Sequence, residues 1–115
     1  AVGYREMITD NNVKFVFAKS GDTYQSIADV KNLHKWQLLK YNDADKNRTL
    51  EEGERVYIKP KRNKAKNAEY HMVQEGQTLR EISQLHAVKL KRLMKYNDLR
   101  QNPNLREGQK VKLRR

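Results

Sequence analysis

Cysteine is absent from the 115 residues, so neither a disulfide nor a thiolate metal site can reinforce the fold. The histidines His34, His71 and His86 stand at unrelated positions without zinc-ligand spacing, and no metal is expected. No serine sits in a nucleophile-elbow setting, and Glu51 and Glu52 lie together at a turn. General acid and base for glycoside cleavage therefore have no candidate pair. No catalytic residue and no cofactor are expected. Apolar runs long enough to span a bilayer are also missing, which argues against membrane insertion. The chain starts at Ala1 without a charged and then apolar leader, and reads as a mature form or an excised piece whose targeting signal was left behind.

Acid is in short supply: Lys and Arg number 25 against 14 Asp and Glu, a net charge of +11. Residues 1–59 are nearly balanced, with 10 basic and 9 acidic side chains, whereas residues 60–68 hold 4 basic and no acidic ones and residues 69–115 hold 11 and 5. Such a field favours polyanionic surroundings without choosing among nucleic acid, anionic lipid and wall polymer. Aromatics in the basic half are limited to Tyr70 and Tyr96, too few for a stacking platform. Neither helix of that half carries an Arg and Asn/Gln set suited to the major groove. No specific nucleic-acid partner is expected.

What the chain does have is a duplication. Lys40-Tyr41-Asn42-Asp43 returns as Lys95-Tyr96-Asn97-Asp98, and the same offset of 55 positions aligns Gly21 with Gly76, Thr23 with Thr78, Ile27 with Ile82, Leu50 with Leu105, Gly53 with Gly108 and Val56 with Val111. A repeat of this period is a single supersecondary unit. The expected organisation is an N-terminal connector over 1–12 with a short edge strand, a first repeat over 13–59, a solvated basic linker over 60–68 and a second repeat over 69–115.

Within a repeat, Val13 to Ala18 is rich in β-branched and aromatic residues and ends at Ser20-Gly21-Asp22, which predicts a strand and a turn. Thr23 can cap a helix running to Lys31, and Thr78 with Glu81 forms the capping-box pattern in the second copy. A second helix spans Lys35 to Tyr41, with Trp36, Leu39 and either Leu38 or Tyr41 facing inward; its copy spans Leu90 to Tyr96. Asn42 and Asn97 stand where a left-handed or capping residue ends that helix, which gives Tyr41-Asn42-Asp43 a structural role. Arg55 to Ile58 alternates as a closing strand. His71 reads as a surface or half-buried strand residue. The fold class is α+β: each unit is βααβ, a two-stranded antiparallel sheet packed on two short helices.

Two loops remain open to function. Ser20 to Thr23 precedes the first helix and Asn47 to Leu50 follows the second, and both can lie at one end of the sheet. Small residues there leave backbone groups accessible to a neutral, hydrogen-bonding ligand such as a sugar amide, while a pure turn role explains Gly21 and Gly76 equally well.

The blocks Val73 to Ser83, Leu93 to Leu99 and Asn102 to Val111 resemble a LysM domain in order and spacing, and Lys19 to Ala28, Leu38 to Asp43 and Leu50 to Val56 resemble it again. The resemblance implies non-catalytic binding of N-acetylglucosamine-containing glycan, peptidoglycan or chitin, in a shallow groove between two loops. On this chain the groove residues are Gly21, Asp22, Thr23 and Tyr24 facing Asn47, Arg48, Thr49 and Leu50, and Gly76, Gln77, Thr78 and Leu79 facing Asn102, Pro103, Asn104 and Leu105. The first copy has Asn47-Arg48-Thr49 where the family has an Asn-Pro pair, and the second has Gln77 for the usual Asp. Chitin-binding members commonly carry disulfides, so the lack of cysteine tilts the resemblance toward a bacterial envelope protein, secreted by a signal not present here. The linker and the pairing are similar to the C-terminal region of LysM-bearing glucosaminidases of Bacteroidetes type. A monomer is expected, anchoring a wall hydrolase or another envelope protein. The alternative is a basic module on the same fold that binds anionic polymer, nucleic acid or a partner protein.

Overall fold

The computed structural model describes residues 3–100 and 103–115. Contacts divide the chain into two compact units between Lys61 and Arg62. The first holds β1 (Met7–Ile8), β2 (Lys14–Phe17), α1 (Tyr24–Lys31), α2 (Lys35–Tyr41) and β3 (Arg55–Tyr57); the second holds β4 (Tyr70–Met72), α3 (Leu79–His86), α4 (Leu90–Tyr96) and β5 (Lys110–Lys112). Each is an α+β unit of βααβ order, with β2 antiparallel to β3 and β4 antiparallel to β5.

Alternation along the strands decides what faces the helices. Val16 and Ala18 from β2 and its end, and Val56 and Ile58 from β3 and its end, join Tyr24, Ile27, Ala28, Leu38 and Leu50 in one buried cluster. Val73, Val111 and Leu113 meet Leu79, Ile82, Val88 and Leu93 in the other. Both first helices start on a reciprocal cap: Thr23 Oγ1 accepts from the Ser26 N–H while Ser26 Oγ accepts from the Thr23 N–H, and Thr78 pairs with Glu81 in the same way. These caps satisfy amides that a helix start leaves free.

Asn42 ends α2 as a cap with φ −105°, and Asn97 ends α4 with φ −112°. The left-handed residues fall one position later, at Asp43 and Asp98. The fully buried Asn42 amide donates to Leu38 C=O (2.8 Å) and Tyr57 C=O (3.0 Å) and accepts from Tyr57 N–H (2.7 Å). It ties the helix end to the closing strand. Asn97 repeats the bonds on Leu93 and Lys112.

Two expectations are corrected and one is met. Trp36 does not face inward but is 60% exposed, its ring stacked on His34. At about 100° per residue it lies about 160° around the helix from the buried Leu38, on the far side. The short edge strand expected before the first repeat is β1, which adds to β2 with Met7 opposite Phe15 and makes a three-stranded sheet in the first unit, while Tyr4 packs on the core. The basic stretch after Pro60 is not simply solvated. Lys61 is buried with its ammonium 2.7 Å from Asp43, and Ala65 joins the second core. Arg62 exchanges backbone hydrogen bonds with Ala87 and Lys89. That pairing supplies partners where the left-handed Ala87 turns the chain between helices.

Candidate functional site

In the first unit the two loops meet. The Leu50 N–H donates to Asp22 C=O at 2.7 Å, Thr23 and Thr49 form an isolated antiparallel bridge, and Asn47 Oδ1 accepts from the Gln25 N–H at 3.2 Å. Gly21, Asn47 and Thr49 are exposed and Asp22, Thr23 and Arg48 partly so, whereas Tyr24 and Leu50 are buried core residues. Sequence reasoning placed Tyr24, Leu50 and Leu79 facing the groove; all three side chains belong to the cores, so only their backbone is left to meet a ligand. Arg48 is held by Glu54 at 2.6 Å and lies over the Tyr24 ring, 5.8 Å from its centroid. This fastening stands where the family pattern has proline.

Asp22 fixes the first loop from inside. Its carboxylate accepts from the Lys19 N–H (2.8 Å), the Ser26 hydroxyl (2.9 Å) and the Tyr4 hydroxyl, which lies 2.7 and 2.8 Å from the two oxygens. Burial alone raises its pKa, but the hydrogen bonds from Lys19, Tyr4 and Ser26 and the Lys19 charge outweigh it, and the carboxyl is held below its usual value. The Tyr4 hydroxyl is pushed up to about 12, by burial first and then by the bond to Asp22 and its charge. Tyr4 and Ser26 were not among the expected site residues. Ser26, three residues after Thr23, carried a capping signal, whereas nothing local ties position 4 to position 22.

In the second unit Gln77 takes the place of Asp22. Its Oε1 accepts from the Gln74 N–H (3.1 Å) and lies 2.8 Å from His71 Nε2. His71 Nδ1 lies 2.8 Å from His86 Nε2. Because the amide oxygen only accepts, the His71 Nε2–H donates to it. Gly76, Thr78 and Asn104 are exposed, Gln77, Pro103 and Leu105 are partly buried, and Asn102 lies outside the described residues. No hydrogen bond joins residues 76–79 to 103–105 among the described residues. The loops of the first unit are brought together by direct bonds. Among the described residues no group of three or more His, Asp or Glu could hold a metal, and no helix is long and apolar enough to cross a membrane.

Two small α+β units, each presenting a strand-to-helix loop and a helix-to-strand loop, define a repeat module rather than an enzyme fold. The LysM domain family matches residues 18–59 and again residues 71–114, and the chain belongs to that family. LysM domains bind N-acetylglucosamine-containing glycans, are not catalytic, and occur in extracellular or cell-wall proteins. No curated protein matches the chain. Among solved structures it is similar to the Bacillus cereus spore cortex-lytic enzyme SleL (29% identity over 88% of this chain and 22% of that one, TM-score 0.38). It is also similar to the Bacillus megaterium QM B1551 SleL (19% identity over 87% and 22%, TM-score 0.39). The chain thus spans about a fifth of the length of each.

Proposed function

We propose that the chain is a non-catalytic tail that holds a wall hydrolase or another envelope protein on peptidoglycan, each unit taking an N-acetylglucosamine-containing strand between its two loops. The observation that carries this reading is the clamp in the first unit, where Leu50 on Asp22 and the Thr23 to Thr49 bridge hold exposed Gly21, Asn47 and Thr49 side by side. A loop fixed before binding avoids the ordering cost that a free loop would bear. Each shallow site binds weakly, and two sites on one chain raise retention through effective concentration. Excess cations in residues 60–115 add salt-screened attraction to anionic wall polymer.

Retention on purified peptidoglycan, with and without soluble N-acetylglucosamine oligomers, tests the reading. Retention should be competed by the oligomers and weakened by Thr49→Ala or Thr78→Ala; a folded protein that is not retained refutes it. The charge excess favours one other reading, a basic module that ignores sugar. That module predicts binding indifferent to the oligomers, lost steeply with salt, and weakened by replacing Arg62, Lys64 and Lys66.

A further inference from the structure

The duplication supplies a comparison between the two sheets. In the first unit the outer edge of β2 is occupied: β1 pairs with it, Met7 opposite Phe15 and Ile8 opposite Lys14. On the face they share, Phe15 and Tyr57 are buried, whereas Phe17 is 46% exposed. Shifted by 55 positions, Phe15, Phe17, Arg55 and Tyr57 become Tyr70, Met72, Lys110 and Lys112. No strand pairs with the outer edge of β4, whose sheet among the described residues is β4 and β5 alone. Tyr70 and Met72 are 50% and 59% exposed.

The backbone register places the open groups. Leu113 N–H bonds Glu69 C=O and Val73 N–H bonds Gln109 C=O, so residues 69, 71 and 73 turn their backbone groups to β5. In an antiparallel ladder the alternate residues, Tyr70 and Met72, then turn theirs outward. Among the described residues neither has a hydrogen bond at that edge. Beside them the surface is cationic: Lys110 Nζ lies 5.6 Å from the Tyr70 ring centroid, and Lys112 stands directly opposite Tyr70 in the register.

We propose that the β4 edge is a docking site for an extended, acid-bearing segment of a partner protein, added as a third strand in the position that β1 holds in the first unit. Main-chain bonds to Tyr70 and Met72 supply the pairing, apolar side chains cover those two residues, and carboxylates face Lys110 and Lys112. Charge selects this occupant over a second copy of the chain, whose own β4 would bring the same two lysines against these. The outward backbone groups of Tyr70 and Met72 are not among the groups proposed to meet the glycan, so the proposal does not depend on sugar binding.

The test is a titration of the full chain with a blocked heptapeptide alternating glutamate and isoleucine, followed by amide chemical shifts and hydrogen exchange. The expected result is shift changes and slowed exchange at Tyr70 and Met72. Affinity should fall about fivefold or more when the central peptide nitrogen is methylated, since a lost main-chain bond of about 1 kcal/mol is a factor of about five. It should fall similarly with Met72→Pro, and with Lys110→Glu and Lys112→Glu combined. Tyr70→Lys with Met72→Lys, both at exposed positions, checks the edge in a folded protein. Three results overturn the proposal: no change at the edge, equal binding of the methylated peptide or of a lysine and isoleucine peptide, or shifts at Tyr70 and Met72 that grow with protein concentration alone and so mark a second copy as the occupant.

Discussion

Asn42 and Asn97 make the same three hydrogen bonds in two settings, so replacing each by alanine separates the bond from its burial. In Asn42→Ala the Tyr57 N–H and C=O lose the side-chain partners that meet them at 2.7 and 3.0 Å, at a site where the asparagine is fully buried. A buried backbone group deprived of its partner costs ~1–3 kcal/mol, and two such groups make the expected loss about 2–6 kcal/mol. A domain holds only ~0.05–0.15 kcal/mol per residue, so a unit of this size loses a large share of its stability. With a shift of ~4–8 °C per kcal/mol for small domains, its melting temperature should fall by at least about 8 °C. Asn97 is only partly buried and its Lys112 partner is exposed. Water can take up the freed groups there, and the loss should be nearer ~1 kcal/mol, the net worth of an ordinary hydrogen bond.

The assay is native-state amide exchange on the full chain, which reads the two units separately through the amides of β3 and β5. Asn42→Ala should speed exchange in the first unit well beyond what Asn97→Ala does in the second, and below each transition glycan retention should be unchanged. Equal losses in the two units refute the burial argument. Loss of retention by folded Asn97→Ala would place the ligand at the Tyr96-Asn97-Asp98 stretch instead of at the loops.

The carboxyl of Asp22 is held below the usual ~3.9, so the stability it supplies is full above that value and drains as pH falls through the lowered one. Asp22→Asn should flatten this acid limb in urea midpoints measured against pH. The Tyr4 hydroxyl is raised to about 12 from the usual ~10; its contribution is present below that ordinary value and lost as pH rises through the higher one. Tyr4→Phe should remove that alkaline limb, and phenolate absorbance should show one tyrosine fewer among the late-titrating ones. Gly21→Ala meets no atom within 4 Å but must hold φ +84°, which costs ~1–2 kcal/mol, seen as a matching drop in unfolding free energy. Trp36→Ala should move stability by no more than ~0.5 kcal/mol, and a larger loss would place Trp36 back in the core.

Local chemistry was legible in the sequence. The four helices fall where capping threonines, apolar periodicity and terminal asparagines place them, because each signal acts within about one turn. The inward set of α2 was harder to read. Size and hydrophobicity pointed to Trp36, but a helix this short buries little more than one line of residues, and Leu38 holds it. Contacts across long separations left no mark: Tyr4 reaches Asp22, Asn42 reaches Tyr57 and Lys61 reaches Asp43 only because the sheet and the chain beyond it bring them together. Burial of Tyr24, Leu50 and Leu79 could be read from their periodicity alone, which conflicts with placing their side chains in a groove.

The substitution of Gln77 for Asp22 shows which part of the loop the fold requires. Both side chains accept a hydrogen bond from the backbone N–H three residues earlier, Lys19 for Asp22 at 2.8 Å and Gln74 for Gln77 at 3.1 Å. Those N–H groups lie just past the strand end, where the sheet no longer provides acceptors and an unpaired donor is costly. The turn therefore needs an acceptor, and a carboxylate is only one way to provide it. The second fastening then follows the acceptor's chemistry. A carboxylate gathers the Tyr4 and Ser26 hydroxyls, whereas the amide oxygen meets a ring N–H of His71, whose other nitrogen lies 2.8 Å from His86. One loop geometry is thus held by a charged acceptor in the first unit and by an uncharged one in the second, so acid should loosen the first loop through loss of the Asp22 charge and leave the Gln77 acceptor in place.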